Sequence, residues 1–415
     1  MTMGELVYGL LGRKLGHSWS VPIHTALGCA GYRLIELEPE ELPAFLSRED
    51  IGGLNVTIPY KMDVMPLCDK IDDRAAAIGS VNTIVRRDGK LLAFNTDADG
   101  FCFMARRAGV DFHGRKVLVL GSGGASRTAV ACARQLGAQK VVVISRSGPD
   151  NYENLSRHTD ADIVVNTTPV GMYPGNGDAP VDLHAFPRCR GVLDVIYNPH
   201  RTALLLQAQA LGIPCSDGLA MLVAQAKAAE EHFFSHPIPD GETERILSAL
   251  RHETENIVLI GMPGCGKSTV GAALAALTGR EAVDIDAEIE RRAGCTIPEI
   301  FARGGETEFR ALEREATAEA GKRTGCILLT GGGAVKTPEN YGALRQNGRI
   351  YHLLRDVGAL PTDGRPLSQG ADLAAMWRER KPLYERFRDV AIDNNGPAEE
   401  TARAIWRDFC AYSGD

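Results

Sequence analysis

The chain has no cysteines spaced as Cys-x-x-Cys, although its ten cysteines are scattered from Cys29 to Cys410. That excludes a readable zinc ribbon or a small secreted disulfide framework, and reads as reduced thiols in a cytosol. Nor is there an excess of positive charge. With a net charge of −7, no overall basic field draws the chain to nucleic acid or to an anionic membrane, and neither is expected as a partner. No apolar run approaches the roughly 20 residues that a membrane helix needs. Residues 1–11 lack the basic-then-apolar pattern of a secretion signal. Internal repeats and low-complexity tracts are missing too. The expected location is cytoplasmic, and the expected ligands are small molecules held by local sites.

What is present is an ordinary soluble composition, 44% hydrophobic and 24% charged, over 415 residues. Such a length exceeds one ordinary core and predicts two or three domains. KVLVL at Lys116–Leu120 reads as a buried strand, 121–125 as a tight glycine turn, 128–136 as a helix and KVVVI at Lys140–Ile144 as the next strand. Further strands are expected at 162–166 and 192–196. This alternation predicts an α/β fold, a parallel sheet with helices on both faces. A helix is expected over 217–234, then a Pro-containing break at 235–240 and a short charged helix at 242–253. A second strand–glycine loop–helix starts at Asn256.

Gly121, Ser122, Gly123, Gly124 and Ala125 stand between a strand and a helix, where a dinucleotide fold needs them. Glycines let the backbone approach a pyrophosphate, and the free N–H groups of a helix N-terminus attract it. A glycine turn can also be merely structural; the end of the next strand adds weight. There an NAD enzyme usually offers an acidic side chain to the ribose, whereas this chain offers Ser145, Arg146 and Ser147. A guanidinium flanked by hydroxyls suits a 2′-phosphate, which a carboxylate would repel. The expected cofactor is NADP(H).

Four segments before residue 100 are polar where a simple core would be apolar. They are His17-Ser18-Trp19-Ser20, Asn55-Val56-Thr57-Ile58-Pro59-Tyr60-Lys61, Val81-Asn82-Thr83 and Asn95-Thr96-Asp97. Each alone can be turn or cap chemistry; together they supply the hydroxyls, amides, lysine and carboxylate needed to hold a polyhydroxylated acid. Their order and spacing closely resemble the shikimate dehydrogenase family across residues 4–250, and 194–197 and 217–225 match its later signatures. The resemblance implies that Ser18, Ser20, Thr57, Lys61, Asn82, Asp97, Tyr197 and Gln225 bind the substrate, with Lys61 and Asp97 as the catalytic pair. It also adds Asp73, Val195 and Gly218 to the NADP site. The chemistry agrees: reducing a ring ketone needs a hydride and a proton, and a lysine beside a carboxylate can deliver the proton and stabilise the oxygen. The chain departs from the family pattern at Val21, where proline is usual, at Ala93, where glycine is common, and at Asp73, an acid one carbon shorter.

Gly261-Met262-Pro263-Gly264-Cys265-Gly266-Lys267-Ser268-Thr269 satisfies G-x-x-x-x-G-K-S between an expected strand, 257–260, and a helix. Backbone N–H groups of Gly264 to Thr269 would cradle ATP phosphates, Lys267 would reach the β/γ oxygens and Ser268 would ligate Mg²⁺. The motif names a nucleotide but no acceptor. Asp284 and Asp286 are read as ending a short strand, pointing to one side, with a magnesium and acceptor role or a capping role both open. Arg310 falls on an expected helix with Glu313 one turn on. Gly331, Gly332 and Gly333 follow an apolar strand at 326–329, and Arg380-Lys381 adds cations.

This ensemble resembles shikimate kinase over residues 256–410. The resemblance implies that Asp286, Arg310, Gly332 and Arg380 bind shikimate, with Asp286 also accepting the hydroxyl proton. Asp284 would support Mg²⁺, and Arg365 in Gly364-Arg365-Pro366-Leu367 would be the lid arginine that approaches the γ-phosphate of ATP. Between Tyr351 and Arg365 the chain is several residues shorter than the family pattern.

The expected architecture is therefore a substrate lobe of residues 1–103 plus 216–250, a Rossmann NADP lobe of 104–215, a linker region of 241–255 and a P-loop kinase domain of 256–415. The implied reactions are consecutive steps of the shikimate pathway towards chorismate and the aromatic amino acids: 3-dehydroshikimate to shikimate, then shikimate to its 3-phosphate. Quinate or NAD in the first half, or a ligand sensor without chemistry, are the other readings. Against a sensor stand the intact Lys61, Asp97, Lys267, Ser268 and Asp284. Oligomeric state is not legible.

Overall fold

Two runs, 117–120 and 257–260, have every side chain fully buried. A strand apolar on both faces belongs inside a covered parallel sheet, and the computed structural model places both there. The structure describes residues 6–16, 18–360 and 372–412. Two units make up the chain: Met1–Gly171, Asp178–Tyr197 and Leu204–Leu247 form the first, and Met172–Gly177, Asn198–Ala203 and Ser248–Asp415 the second.

The first unit holds two sheets. Strands β1 (Val7–Gly12), β2 (Tyr32–Glu36), β3 (Ile51–Val56), β4 (Lys70–Ile71), β5 (Thr83–Arg87) and β6 (Lys90–Phe94) are ordered β2-β1-β3-β5-β6-β4. β1 runs parallel to β2 and β3, while the β3–β5 and β5–β6 pairs are antiparallel. The second sheet is parallel throughout: β7 (Lys116–Leu120), β8 (Lys140–Ile144), β9 (Ile163–Asn166), β10 (Gly191–Asp194) and β11 (Cys215–Ser216), ordered β11-β10-β9-β7-β8.

From β7 the chain moves to β8 on one side and then crosses to β9 on the other. The carboxyl end of β7 is thus a switch point, where open α/β sheets take ligands. The glycine turn lies there, and its helix spans Gly124–Gln135, starting four residues before the expected 128. β10 stops at Asp194, short of 196, because the Asp194 carboxylate accepts from the Ile196 N–H (3.1 Å) and bends the chain. Helix Asp97–Arg107 packs on helix Leu219–Phe234, and Gly100 permits the approach: a Cβ there would stand 2.4 Å from the Met221 carbonyl oxygen.

The second unit has one parallel sheet, β12 (Asn256–Ile260), β13 (Ala282–Asp284), β14 (Ile327–Leu329), β15 (Gly348–Leu354) and β16 (Val390–Asp393), ordered β13-β14-β12-β15-β16. Central β12 feeds the second glycine loop and helix Lys267–Thr278. Here the strand reading of Asp284 and Asp286 needs correction. β13 ends at Asp284, whose carboxylate caps helix Ile285–Ala293 by accepting from the N–H groups of Asp286 (3.0 Å) and Ala287 (3.4 Å). Aspartate is among the best N-cap residues, so capping wins over strand continuation. The stretch 241–255 is nearly all helix, Asp240–Thr254, with Ile246, Leu247 and Leu250 buried. Among the described residues, no helix is long and apolar enough to cross a membrane.

Candidate active sites

In the first unit a cavity of about 290 Å³ is lined by all eight residues expected at the substrate: Ser18, Ser20, Thr57, Lys61, Asn82, Asp97, Tyr197 and Gln225. They arrive from separate elements. Thr57 and Lys61 follow β3, Asn82 precedes β5, Asp97 opens the helix after β6, and Gln225 lies on helix Leu219–Phe234. Lys61 Nζ donates to Asp97 Oδ2 at 2.5 Å, and Asn82 Nδ2 donates to Oδ1 of the same carboxylate at 2.9 Å. Asn82 is itself fixed, since its Oδ1 accepts from the Thr96 N–H at 2.7 Å. Asp97 stands in the first turn of its helix, where unpaired N–H groups favour negative charge. Ser18 donates to Ser20 at 3.1 Å, at the start of helix Ser20–Ala26. Burial pushes the Tyr197 phenol up in pKa. A lysine–carboxylate pair facing a polar cavity can give a proton to an oxygen and stabilise its growing charge.

Ala125, Val195 and Gly218, expected at the cofactor, line the same cavity. The others stand outside it. Gly121, at φ 105°, turns the chain out of β7, and Ser122, Gly123 and Gly124 are exposed where the helix begins. The Gly121 N–H donates to the Ile144 carbonyl (2.8 Å), which sets this turn beside Ser145, Arg146 and Ser147 at the end of β8. Arg146 and Ser147 are exposed. Free N–H groups next to a guanidinium and hydroxyls fit a pyrophosphate and a 2′-phosphate. Asp73 opens helix Asp73–Ile78 and is exposed, away from the cavity lining.

In the second unit a cavity of about 610 Å³ is lined by Gly264, Gly266, Lys267, Ser268, Thr269, Asp284, Asp286, Arg310, Gly332 and Arg380. Cys265 is buried and does not line it; its carbonyl accepts from Asn394 Nδ2 at 2.6 Å. Arg365 lies outside the described residues. Lys267 Nζ donates to two carbonyls of its own loop, Gly261 (2.9 Å) and Met262 (3.1 Å). Arg310 donates to Glu313 (2.7 Å), while Arg380 (3.1 Å) and the Tyr384 hydroxyl (2.5 Å) both donate to the Gly332 carbonyl.

The glycines after β14 act through what they leave out. A Cβ on Gly331 would stand 2.7 Å from Asp286 Oδ1, and one on Gly333 2.4 Å from an Arg310 nitrogen. Asp286 Oδ1 is buried with no partner among the described residues, and burial, then the charge of Asp284, pushes the Asp286 carboxyl up in pKa. Ser268 and Asp284 line this cavity, and hydroxyl and carboxylate oxygens are donors that fit a hard divalent cation such as Mg²⁺.

Sequence reasoning assigns no role to Asn55, which sits inside a motif read for its threonine and lysine, or to Arg355. Both line cavities. Arg355 directly follows β15, and a cation at the carboxyl end of a parallel strand is the signal that would have found it.

Residues 10–84 match the family model for the shikimate dehydrogenase substrate binding domain, and residues 263–409 match that for shikimate kinase. Over 266 residues the chain is 35% identical to the shikimate dehydrogenase (NADP(+)) of Clostridium beijerinckii, covering 59% of this chain and 98% of the relative. The chain belongs to the shikimate dehydrogenase family. A Geobacter relative of the same description is 38% identical over 275 residues, covering 59% and 94% of the two chains. Among solved structures, a chorismate mutase/shikimate 5-dehydrogenase fusion protein from Clostridium acetobutylicum has a TM-score of 0.57 at 35% identity, covering 60% of this chain and 97% of its own. The Thermus thermophilus shikimate 5-dehydrogenase, solved in complex with NADP(H) and shikimate, has a TM-score of 0.52 at 31% identity, covering 58% and 97%. The expected α/β fold and the pairing of a dehydrogenase with a kinase on one polypeptide therefore hold.

Proposed function

We propose that the chain reduces 3-dehydroshikimate to shikimate with NADPH and then phosphorylates shikimate at its 3-hydroxyl with Mg-ATP. One observation carries the reading: the Lys61–Asp97 pair, closed at 2.5 Å, faces a cavity walled by hydroxyls and amides. On this reading 1–103 with 216–250 is the substrate lobe, 104–215 the NADP lobe and 256–415 the kinase domain.

NADPH supplies the hydride to the ring ketone. Ser18, Ser20, Thr57, Asn82, Tyr197 and Gln225 hold the carboxylate and hydroxyls of the acid. Lys61 gives a proton to the oxygen that becomes an alkoxide, and Asp97, braced by Asn82, keeps the ammonium aimed. The backbone of Gly121 to Ala125 takes the pyrophosphate, Arg146 with Ser145 and Ser147 takes the 2′-phosphate, and Asp73, Val195 and Gly218 complete the cofactor site.

In the kinase cavity Arg310 and Arg380 clamp the carboxylate of shikimate beside Gly332, and Asp286 orients the 3-hydroxyl and accepts its proton. Positioning and charge neutralisation contribute more than that proton transfer. Gly264 to Thr269 cradle the ATP phosphates, and Arg365 approaches the γ-phosphate. Ser268 and Asp284 would hold Mg²⁺, which when bound neutralises phosphate charge.

Purified protein given 3-dehydroshikimate, NADPH, ATP and Mg²⁺ should form shikimate 3-phosphate, and should accumulate shikimate when ATP is omitted. No NADPH oxidation, or faster turnover of quinate with NAD, would overturn the reading.

A further inference from the structure

Behind the dehydrogenase cavity lies a set of polar side chains that the proposed chemistry leaves idle. His24, on helix Ser20–Ala26, and Glu230, on helix Leu219–Phe234, are both fully buried, and His24 Nδ1 meets Glu230 Oε1. The carboxylate's second oxygen has no hydrogen-bond partner among the described residues. Burial pushes the His24 pKa down, against the opposing pull of Glu230 and Asn55. The ring lies flat on Tyr32, with centroids 3.8 Å apart and planes 5° apart. Tyr32, also buried, donates its hydroxyl proton to Asn55 Oδ1 at 2.8 Å. Asn55 lines the substrate cavity.

Packing alone does not account for this arrangement, because removing such groups from water costs free energy that an apolar core avoids. What the arrangement does is settle an orientation. With the Tyr32 proton on Oδ1, the amide can turn only its Nδ2 the other way. There Nδ2 has two long contacts, to Thr83 Oγ1 (3.3 Å) and the Asn82 carbonyl (3.4 Å). Bonds of that length are weak and leave donor capacity for a ligand oxygen. The His24–Glu230 contact also joins the helix that begins with Ser20 to the helix that carries Gln225, two walls of one cavity.

We propose that Asn55 is a further substrate-binding residue, donating from Nδ2 to an oxygen of the substrate, and that Glu230, His24 and Tyr32 are positioning residues that hold its amide that way round. The inference rests on the dehydrogenase reading above and deepens it.

The test uses the full chain and three substitutions. Tyr32→Phe removes a hydroxyl and keeps the stacked ring, Glu230→Gln keeps the shape of the carboxylate, and Asn55→Ala removes the amide. Asn55→Ala should raise KM for 3-dehydroshikimate about tenfold with kcat within about twofold, the signature of one lost ground-state hydrogen bond. Tyr32→Phe and Glu230→Gln should each raise the same KM about threefold to tenfold, and neither should add to Asn55→Ala in a double variant. KM for NADPH and the kinase activity of the same polypeptide should stay at their wild-type values. Lower kcat or a smaller active fraction at unchanged KM would make the network purely structural and overturn the proposal, as would additive double variants. Should Glu230→Gln fail to fold, Tyr32→Phe against Asn55→Ala decides alone. A wild-type chain that does not reduce 3-dehydroshikimate sinks the functional reading; an active wild type with unaltered KM in Asn55→Ala sinks only this inference.

Discussion

Lys61→Ala separates the chemistry of the first cavity from its scaffold. The Lys61 and Asp97 side chains are 23% and 14% exposed, so the pair is shielded but not sealed. Removing the ammonium does not strand the carboxylate, which keeps the 2.9 Å bond from Asn82 and its place at a helix N-terminus. The loss of stability should be on the order of 1 kcal/mol, as for a partly exposed ion pair. Chemistry should lose more. A positioned acid or base contributes about 10²–10⁴-fold in rate, roughly 3–5 kcal/mol of barrier. KM should move less than kcat, because the hydroxyls and amides of the wall remain. NADPH absorbance follows the first reaction, and coupled ADP release follows the second on the same preparation. A fall in kcat of less than about tenfold would remove Lys61 from proton transfer. Parallel loss of kinase activity would mean unfolding and refute the reasoning as a whole.

Lys267→Ala should abolish phosphoryl transfer and leave NADPH oxidation intact; retained ATP-dependent product would rule out the assigned loop. Gly100→Ala, which places a Cβ 2.4 Å from the Met221 carbonyl oxygen, should destabilise the first unit by about 1–3 kcal/mol, read as a lower Tm, and raise KM for 3-dehydroshikimate. His352 is buried, and neither ring nitrogen has a partner among the described residues; burial pushes its pKa down to about 4. The unfolded chain protonates this imidazole near pH 6.5, so the stability it contributes is present above that pH and falls as pH drops, by about 3 kcal/mol at pH 4. His352→Leu should flatten that part of the denaturation profile between pH 6.5 and 4, and an unchanged slope would refute it.

Legibility in the sequence followed the range of the interactions. The strands Lys116–Leu120 and Lys140–Ile144 were readable because short apolar runs beside glycine turns are local signals. The eight residues assigned to the substrate were readable as motifs, and the fold brings them to one cavity. Periodicity failed at Asp284 and Asp286, because an apolar run that ends in an acid fits a strand end and a helix cap equally well. Only the bonds from the Asp286 and Ala287 N–H groups decide for the cap. The network behind Asn55 left no pattern, since His24 and Glu230 are 206 positions apart and meet only when two helices pack. The start of helix Gly124–Gln135 differs from the expected 128 for the opposite reason: glycine has poor intrinsic helix propensity, yet the first turn of a helix tolerates it.

The two lysines of the two cavities differ in what they touch, and the difference fits the tasks proposed for them. A lysine that must deliver one proton to one oxygen needs an aim, and Lys61 has it from a carboxylate at 2.5 Å. A carboxylate at that distance would reduce the net attraction of a lysine for phosphate, since opposite charges about 4 Å apart interact by roughly 4 kcal/mol near a protein surface. Lys267 instead meets the carbonyls of Gly261 and Met262, which orient the ammonium and leave its net charge uncompensated. Of the acids of that cavity, Asp284 caps a helix through the N–H groups of Asp286 and Ala287, and Glu313 pairs with Arg310 at 2.7 Å. Pairing, more than the presence of a lysine, therefore separates the cavity proposed for proton delivery from the one proposed for phosphate.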